Sequence, residues 1–178
     1  MSLTLWYRKP AEQWTEALPV GCGHLGAMVF GRTSRERIQF NEDTLWTGGP
    51  HDYAHKGASK YLNTIRQLLS EGKQDRAEKL AFKHFMGTPF RQKSYQPCGD
   101  LLLSSPNHTK TSHYRRELNL DTAVATTSYR VGKVTFTREI FASYPASAII
   151  VRLRANEPGQ LTLTASLDSP HTRLRTRV

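Results

Sequence analysis

A short stretch in the first third of the chain concentrates side chains that could do chemistry. Residues 39–50, QFNEDTLWTGGP, bring together an amide, two carboxylates and an indole: Asn41, Glu42, Asp43 and Trp46. Polar groups beside an aromatic ring suit a sugar, because the hydroxyls take hydrogen bonds and the ring face stacks on C–H bonds. A structural interpretation competes. Asn41 and Asp43 could simply close a turn by hydrogen bonding to their own backbone, and the indole of Trp46 could lie in the core.

The adjacent carboxylates of Glu42 and Asp43 are weak evidence for a hydrolytic pair. They follow a predicted β-hairpin, in which residues 29–30 and 37–40 are extended and residues 33–35 turn. Successive side chains on a strand point to opposite faces, so the two carboxylates would converge only in a loop. A glycosidase needs two carboxyl groups on either side of the scissile bond, well separated from one another.

The glycine-rich segment 19–31, PVGCGHLGAMVFG, contains the letters of the G-x-G-x-x-G dinucleotide fingerprint. A predicted strand at 25–30 follows these glycines, so no helix N-terminus is available for a pyrophosphate. Cys22 and His24 could bind a metal, but no second pair stands at ligand spacing. We therefore expect no nucleotide, no metal site and no cofactor.

Composition and charge argue against a nucleic-acid-binding, membrane-spanning or secreted protein. The chain has 178 residues and a net charge of +10, but its Lys and Arg are scattered, without the clustered stripe of a nucleic-acid-binding protein. No run approaches the ~18 apolar residues of a membrane span, and the N-terminus lacks the pattern of a signal peptide. With only Cys22 and Cys98, far apart in the sequence, these features predict a cytoplasmic protein with free thiols and neither nucleic-acid nor membrane partners.

Helical periodicity is confined to the first half of the chain. Pro10 fits the first position of a short helix at residues 11–18 that Pro19 would end. Two apolar stripes then predict an αα-hairpin, inserted at about residues 57–87 and punctuated by glycines. The stripe residues are Tyr61, Leu62, Ile65, Leu68 and Leu69, then Ala77, Leu80, Ala81, His84 and Phe85, with Gly72 and Gly87 as the stops. We expect His84 to be a partly buried structural histidine.

The loop at residues 88–99 is rich in polar and aromatic groups. Its Arg91, Gln92, Tyr95 and Gln96 could contact a ligand or a second domain, or form an ordinary polar surface.

The remainder of the chain is predicted to be β throughout. Short strands between turn signals, together with one at residues 3–7, indicate a sandwich or barrel with Thr and Arg on the outward faces. The strands are predicted at residues 100–104, 114–120, 122–131, 133–143, 149–155 and 160–167. The final alternation of residues 171–178 resembles a strand cut off partway, so we expect a fold that is incomplete at its C-terminus.

Several separate motifs resemble one known family. In chain order they are LWYRKPAEQWTEALPVGCGHLGAMVFG, RIQFNEDTLWTGGP, YQPCGDLLL, YRRELNLDTAVATTSY, TREIFASYP and ASLDSPH. Together they resemble the N-terminal domain of glycoside hydrolase family 95, the α-L-fucosidase-like enzymes, which is related to the N-terminal domain of family 65. The chain departs from the family at Cys22 and His24, where the glycine loop usually reads Asn and Arg.

The resemblance implies a mainly β fold: an antiparallel β-supersandwich with an inserted αα-hairpin, spanning residues 1–178. It also implies a longer parent enzyme, in which an (α/α)6 barrel hydrolyses fucosylated oligosaccharides with inversion. The family's catalytic Glu, Asn and Asp belong to that barrel, so no catalytic residue is assigned here and the chain alone is expected to be inactive. The positions expected at the substrate or the barrel interface are His24, Asn41, Glu42, Asp43 and Trp46.

A stand-alone carbohydrate-binding β-sandwich without hydrolytic activity is the alternative. That function would require a continuous aromatic platform on one sheet face. The late strands offer only Tyr129, Phe136 and Phe141, which we expect the core to contain. A purely structural remnant domain is a third possibility.

Overall fold

The computed structural model describes residues 3–171 and consists mainly of two antiparallel five-stranded sheets. One sheet has the order β1-β6-β7-β8-β9 and the other β10-β5-β4-β3-β2. In chain order the strands are β1 (Thr4–Tyr7), β2 (Leu18–Gly21), β3 (Leu25–Val29), β4 (Arg35–Glu42), β5 (Gly99–Ser104), β6 (Ser112–Asn119), β7 (Val124–Val131), β8 (Val134–Ser143), β9 (Ala148–Ala155) and β10 (Thr164–Asp168). The predicted mainly β, antiparallel sandwich with a helical insert is therefore confirmed.

The chain divides into two compact units. The sandwich unit runs to Leu45 and resumes at Pro97, and it contains both sheets. The helical unit is Trp46–Gln96. The insert predicted at about residues 57–87 lies within this second unit.

The core of the sandwich unit is built by alternation along its strands. Val29, Ile38 and Ile140 are at most 1% exposed and belong to one apolar cluster that draws on both sheets. Period-two spacing places such residues on one face of each strand, where the two sheets meet. The hairpin of β3 and β4 pairs Val29 with Ile38, as the sequence predicts.

The prediction of a helix at residues 11–18 is wrong. Only a three-residue 3₁₀ turn, Trp14–Glu16, forms there, and Leu18 already belongs to β2. The Ala11 N–H donates to the Phe30 carbonyl at 2.8 Å, and β2 pairs with β3 along its whole length. Isolated helices this short are marginal, so sheet pairing and burial determine the local structure.

The helical unit contains the predicted αα-hairpin. A 3₁₀ turn (Ala58–Tyr61) leads into α1 (Leu62–Ser70), and α2 (Gln74–His84) follows. Gly72 has a φ of +70°, and its N–H donates to the Leu69 carbonyl at 3.0 Å, so it ends α1 as predicted. In the part of the chain that the structure describes, neither helix is long and apolar enough to cross a membrane.

His84 is half-buried, in agreement with the sequence-based expectation. Its ring stacks on Tyr61 with 4.4 Å between centroids and 10° between planes. Tyr61 precedes α1, so the pair joins the two ends of the hairpin. This contact gives His84 a structural role.

The prediction that Thr and Arg occupy the outward faces of the late strands is only partly correct. Arg152 and Arg154 do point outward, with half or more of each side chain exposed. Arg116, Thr127 and Arg138 are instead at most 4% exposed. The alternation along their strands points these three side chains into the fold. There the guanidinium groups of the two arginines donate to backbone carbonyls, which offsets the cost of burying them. The predicted C-terminal strand at 171–178 lies, except for His171, outside the described residues.

Candidate functional site

One end of the second sheet brings together residues that are distant in sequence. The pairing of β3 with β4 sets Gly26 opposite Asn41 and Leu25 opposite Glu42. Just beyond this pairing, the Asp43 N–H donates to the His24 carbonyl at 3.0 Å. The glycine-rich segment and the Asn-Glu-Asp stretch, both singled out from the sequence, therefore meet at one end of the sandwich unit.

The Glu42 carboxylate is held in its charged form. It accepts hydrogen bonds from the Thr44 hydroxyl at 2.6 Å and the Thr44 N–H at 3.0 Å. The side-chain bond from Thr44 is the main reason that the pKa of Glu42 lies below its ordinary value; hydrogen bonding with Asp43 and the nearby His24 contribute less, and partial burial opposes them. Glu42 is therefore an acceptor at neutral pH.

Glu42 and Asp43 converge, because β4 ends at Glu42 and the chain turns at the next residue. Their side chains lie close enough for Asp43 to contribute to the lowered pKa of Glu42. The two carboxyl groups of glycosidases stand about 5–9.5 Å apart, on either side of the bond to be cleaved. Two neighbouring carboxylates at one turn do not flank a bond in that way, so Glu42 and Asp43 suit binding or positioning better than hydrolysis.

Asn41 and Asp100 each present a buried acceptor without a donor. By strand alternation Asn41 lies on the sheet face opposite to Glu42, and its Oδ1 is buried with no hydrogen-bond partner. Asp100 sits on β5 opposite Gln39; its Oδ2 accepts from Arg37 Nε at 3.0 Å, whereas its Oδ1 is buried and unpartnered. Such groups are uncommon in native structures and call for a donor that the described residues do not supply.

The ring of His24 packs edge-to-face on Tyr144, with 5.9 Å between the two centroids. Tyr144 is 71% exposed and follows β8. The predicted strand at residues 133–143 ends just before Tyr144, and the sequence assigns this tyrosine no role in a site. The contact depends on two strands of different sheets ending side by side, which no local pattern reveals.

Trp46 belongs to the helical unit and is not a core residue. It forms an isolated β-bridge with Tyr95, and the two rings lie 5.1 Å apart. Both side chains are nearly half exposed, at 48% and 45%. An open cleft of about 410 Å³ beside Trp46 also involves Tyr53 and Gln92. Tyr95 and Gln92, noted in the loop at residues 88–99, thus lie near this indole.

The two cysteines are free thiols, and both are half-buried. Burial raises the pKa of Cys98, and the negative charge of Glu42 adds to this effect. A thiol with a raised pKa is a poor nucleophile. Within residues 3–171 no group of three or more His, Cys, Asp or Glu side chains is arranged to hold a metal ion.

A family model decides the classification. The model for "Glycosyl hydrolase family 65, N-terminal domain" matches residues 5–178, nearly the whole chain. The chain belongs to this family. As an N-terminal glycosyl hydrolase domain, it is also similar to curated proteins that carry fucosidase names.

Three relatives show the extent of that similarity. Alpha-L-fucosidase 2 of Arabidopsis thaliana is 44% identical over 170 residues, covering 94% of this chain and 20% of the relative. Probable alpha-fucosidase A of Aspergillus oryzae is 31% identical over 85% of the chain and 22% of the relative. The Aspergillus niger protein of the same name is 29% identical over 86% and 20%. The resemblance seen in the motifs is confirmed, and this domain spans about a fifth of the length of these relatives.

Proposed function

We propose that this N-terminal glycosyl hydrolase domain is part of an α-fucosidase-type enzyme. In this proposal it packs against a catalytic barrel elsewhere in the parent protein and helps to complete that barrel's active site around a fucosylated oligosaccharide. The observation that carries the proposal is the 44% identity to a protein named alpha-L-fucosidase 2 over 94% of the chain. The domain covers only 20% of that relative, which leaves room for a separate catalytic domain.

The unpartnered acceptors of the sandwich unit support this role. Asn41 Oδ1 and Asp100 Oδ1 are buried and lack donors among the described residues, and a water molecule bridging to a sugar hydroxyl or to a neighbouring domain would supply the missing hydrogen bonds. A hydrogen bond to a buried, unpaired acceptor contributes more free energy than a bond that merely replaces one to bulk water. The reason is that it removes the cost of leaving that acceptor unpaired. Asn41 is therefore the position where we expect binding to depend most on a single atom.

The aromatic pair of the helical unit supports the carbohydrate assignment. Trp46 and Tyr95 place two half-exposed rings beside an open cleft. Aromatic rings provide large apolar contact area at a small cost in conformational entropy. We propose that Trp46 contributes a stacking face for a sugar of the substrate.

Two variants of the full-length parent enzyme test the proposal. Because a neutral hydrogen bond contributes about 0.5–1.5 kcal/mol, Asn41→Ala should lower kcat/KM for an aryl α-L-fucoside by roughly threefold to tenfold. Trp46→Ala should lower kcat/KM by tenfold or more, as the loss of an anchoring aromatic commonly costs about 2 kcal/mol. Steady-state kinetics and the thermal midpoint should be measured together, since a variant that merely unfolds is uninformative.

Phe82→Ala is a matched control, because Phe82 is a 65% exposed aromatic residue of the helical unit. Its kinetics should equal those of the parent enzyme. Wild-type kcat/KM in folded Asn41→Ala and Trp46→Ala enzymes would exclude these residues from the active site.

A stand-alone binding module would behave differently. Tyr129 and Phe136 are 3% and 6% exposed, as expected of core residues, whereas Phe141 is only half-buried. One partly exposed ring does not make a continuous aromatic platform. Calorimetric titration of the 178-residue chain with a fucosylated trisaccharide should therefore show no binding. Millimolar or tighter affinity would favour the binding-module interpretation over ours.

A further inference from the structure

The first strand of the sandwich unit is exposed on both of its faces. β1 lies at the edge of its sheet and pairs with β6 alone. Leu5, Trp6 and Tyr7 are 45%, 47% and 42% exposed, although successive side chains on a strand point to opposite sides. Both faces of this strand are only partly covered within the described part of the chain.

The turn that carries a further aromatic residue, Trp14, is tied to this strand through Arg116. The Arg116 guanidinium lies 4.3 Å from the centre of the Tyr7 ring. It donates to the Lys9 carbonyl at 2.8 Å and to the Glu16 carbonyl at 2.7 Å, which ties the Trp14–Glu16 turn to β1. Trp14, held in this turn, is 57% exposed. The exposed indole therefore sits on ordered backbone and not on a loose terminus.

The apolar residues have a basic rim. The guanidinium groups of Arg8 and Arg115 lie 5.4 Å and 4.8 Å from the centre of the Trp6 ring. Arg115 also pairs with Glu117 at 2.6 Å, whereas none of the salt bridges within residues 3–171 involves Arg8. The two arginines line an open cleft of about 420 Å³ beside Trp6. Exposed Trp, Tyr and Arg together are the composition that distinguishes protein interfaces from the remaining surface.

We propose that β1 and the Trp14–Glu16 turn form the surface on which the remainder of the parent polypeptide docks. This inference rests on the proposed function and identifies one contact surface for it. The occupant is a further part of the same protein, because the chain covers only 20% of the Arabidopsis relative described above. Charge complementarity calls for an apolar face with acidic side chains at its margin, opposite Arg8 and Arg115.

Hydroxyl-radical footprinting of the full-length parent protein tests the surface directly. The oxidation rates of Trp6 and Trp14 are measured by mass spectrometry in the native and the urea-unfolded protein. Docking predicts that both side chains react at least tenfold more slowly in the native protein, at every protein concentration. Rates within threefold of the unfolded protein would overturn the proposal. Protection that disappears on dilution would also overturn it, because the surface would then bind a second copy of the protein.

A pair of variants gives an independent measurement. Trp14→Lys in the parent protein should lower the thermal midpoint by several degrees or split the unfolding transition, since it places a charge in the contact. Leu69→Lys is the control, because Leu69 is a similarly exposed residue (54%) on α1; its midpoint should stay unchanged. Equal midpoints for both variants and the parent would contradict docking. If Asn41→Ala and Trp46→Ala slow turnover while Trp14 remains reactive, only this surface is wrong and the proposed function stands.

Discussion

At the scale of single residues, the most consequential feature is a buried ion pair between the sheets. Glu36 on β4 is fully buried, and Arg138 on β8 is 4% exposed. One carboxylate oxygen of Glu36 accepts from the N–H groups of Gly31 (2.8 Å) and Arg37 (3.0 Å), and the other accepts from Arg138. Burial raises the pKa of Glu36, while Arg138 and these hydrogen bonds oppose the increase. The pair links the two sheets through polar groups that are nearly all satisfied.

Removing the charge of Glu36 should be strongly destabilising. Glu36→Gln leaves the Arg138 guanidinium buried without its counter-ion, which typically costs about 3–5 kcal/mol. Urea titration should show this loss in the free energy of unfolding. The double variant Glu36→Leu/Arg138→Met should recover only part of it: apolar replacements of buried pairs are often neutral, but this one leaves the N–H groups of Gly31 and Arg37 without their acceptor. A single variant as stable as wild type would show that the pair contributes little.

His108 gives the sandwich unit a pH dependence of definite sign. Burial lowers the pKa of His108 below its ordinary value, and the charge of Arg138 adds to this effect. Its Nδ1 lies 2.9 Å from the Tyr129 hydroxyl. The unfolded chain binds a proton more readily, so the contribution of His108 to stability is complete above about pH 6.5 and decreases as the pH falls below that value.

The comparison of wild type with His108→Gln isolates this effect. The free energy of unfolding of wild type should decrease more steeply between about pH 6.5 and 5 than that of the variant. Denaturant titrations at half-unit pH steps measure both slopes. Parallel profiles would assign the pH dependence to other titratable groups.

At the scale of secondary structure, local sequence patterns predicted the positions of helices and strands better than the long-range contacts between them. The strands from residue 99 onward follow from alternation and turn residues, and α1 and α2 follow from apolar stripes. The predicted helix at residues 11–18 failed because the residues that compete with it, at Phe30 and on β3, are distant in sequence. The inward placement of Arg116 was missed for a similar reason, since its acceptors are the carbonyls of Lys9 and Glu16.

The candidate site shows the same division. The types of Asn41, Glu42 and Trp46 suggested a binding role, but the sequence could not show that Trp46 pairs with Tyr95. Nor could it show that Asn41 Oδ1 is buried without a donor. Both facts depend on long-range pairing, in which one register among many brings particular side chains together.

Gly31 lies in the connection between β3 and β4, where the packing of the turn demands glycine. It has a φ of +75°, and its carbonyl accepts from the Tyr114 hydroxyl at 2.7 Å. A Cβ there would lie 2.7 Å from that hydroxyl and 2.9 Å from Arg116 Cδ. An added methyl group therefore meets both a backbone penalty and a clash.

Substitution at two glycines separates these two effects. Gly132, between β7 and β8, has a φ of +59° with open space around the position of a Cβ. Gly132→Ala should cost about 1–2 kcal/mol, the backbone penalty alone, whereas Gly31→Ala should cost at least about 3 kcal/mol. Chemical denaturation of both variants provides the comparison, and equal losses would mean that the neighbours of Gly31 move aside.

At the scale of the whole molecule, the helical unit is an insertion within one sheet. It is bounded by Trp46 and Gln96, and it connects β4 to β5. These two strands are direct neighbours, and Phe40 pairs with Gly99 close to the ends of the connection. The sheet order therefore does not depend on the insertion, although most of the helical residues between positions 3 and 171 belong to it.

This connectivity has a consequence for how the chain could be redesigned or could have diversified. The entropy of closing a connection grows only logarithmically, so about fifty residues in place of a four-residue turn add roughly 2 kcal/mol. A short turn between β4 and β5 would thus permit the same strand pairing, and sequences of other lengths could be exchanged at this position. The segment that carries Trp46 could therefore be exchanged between homologues without changing the pairing of β4 with β5.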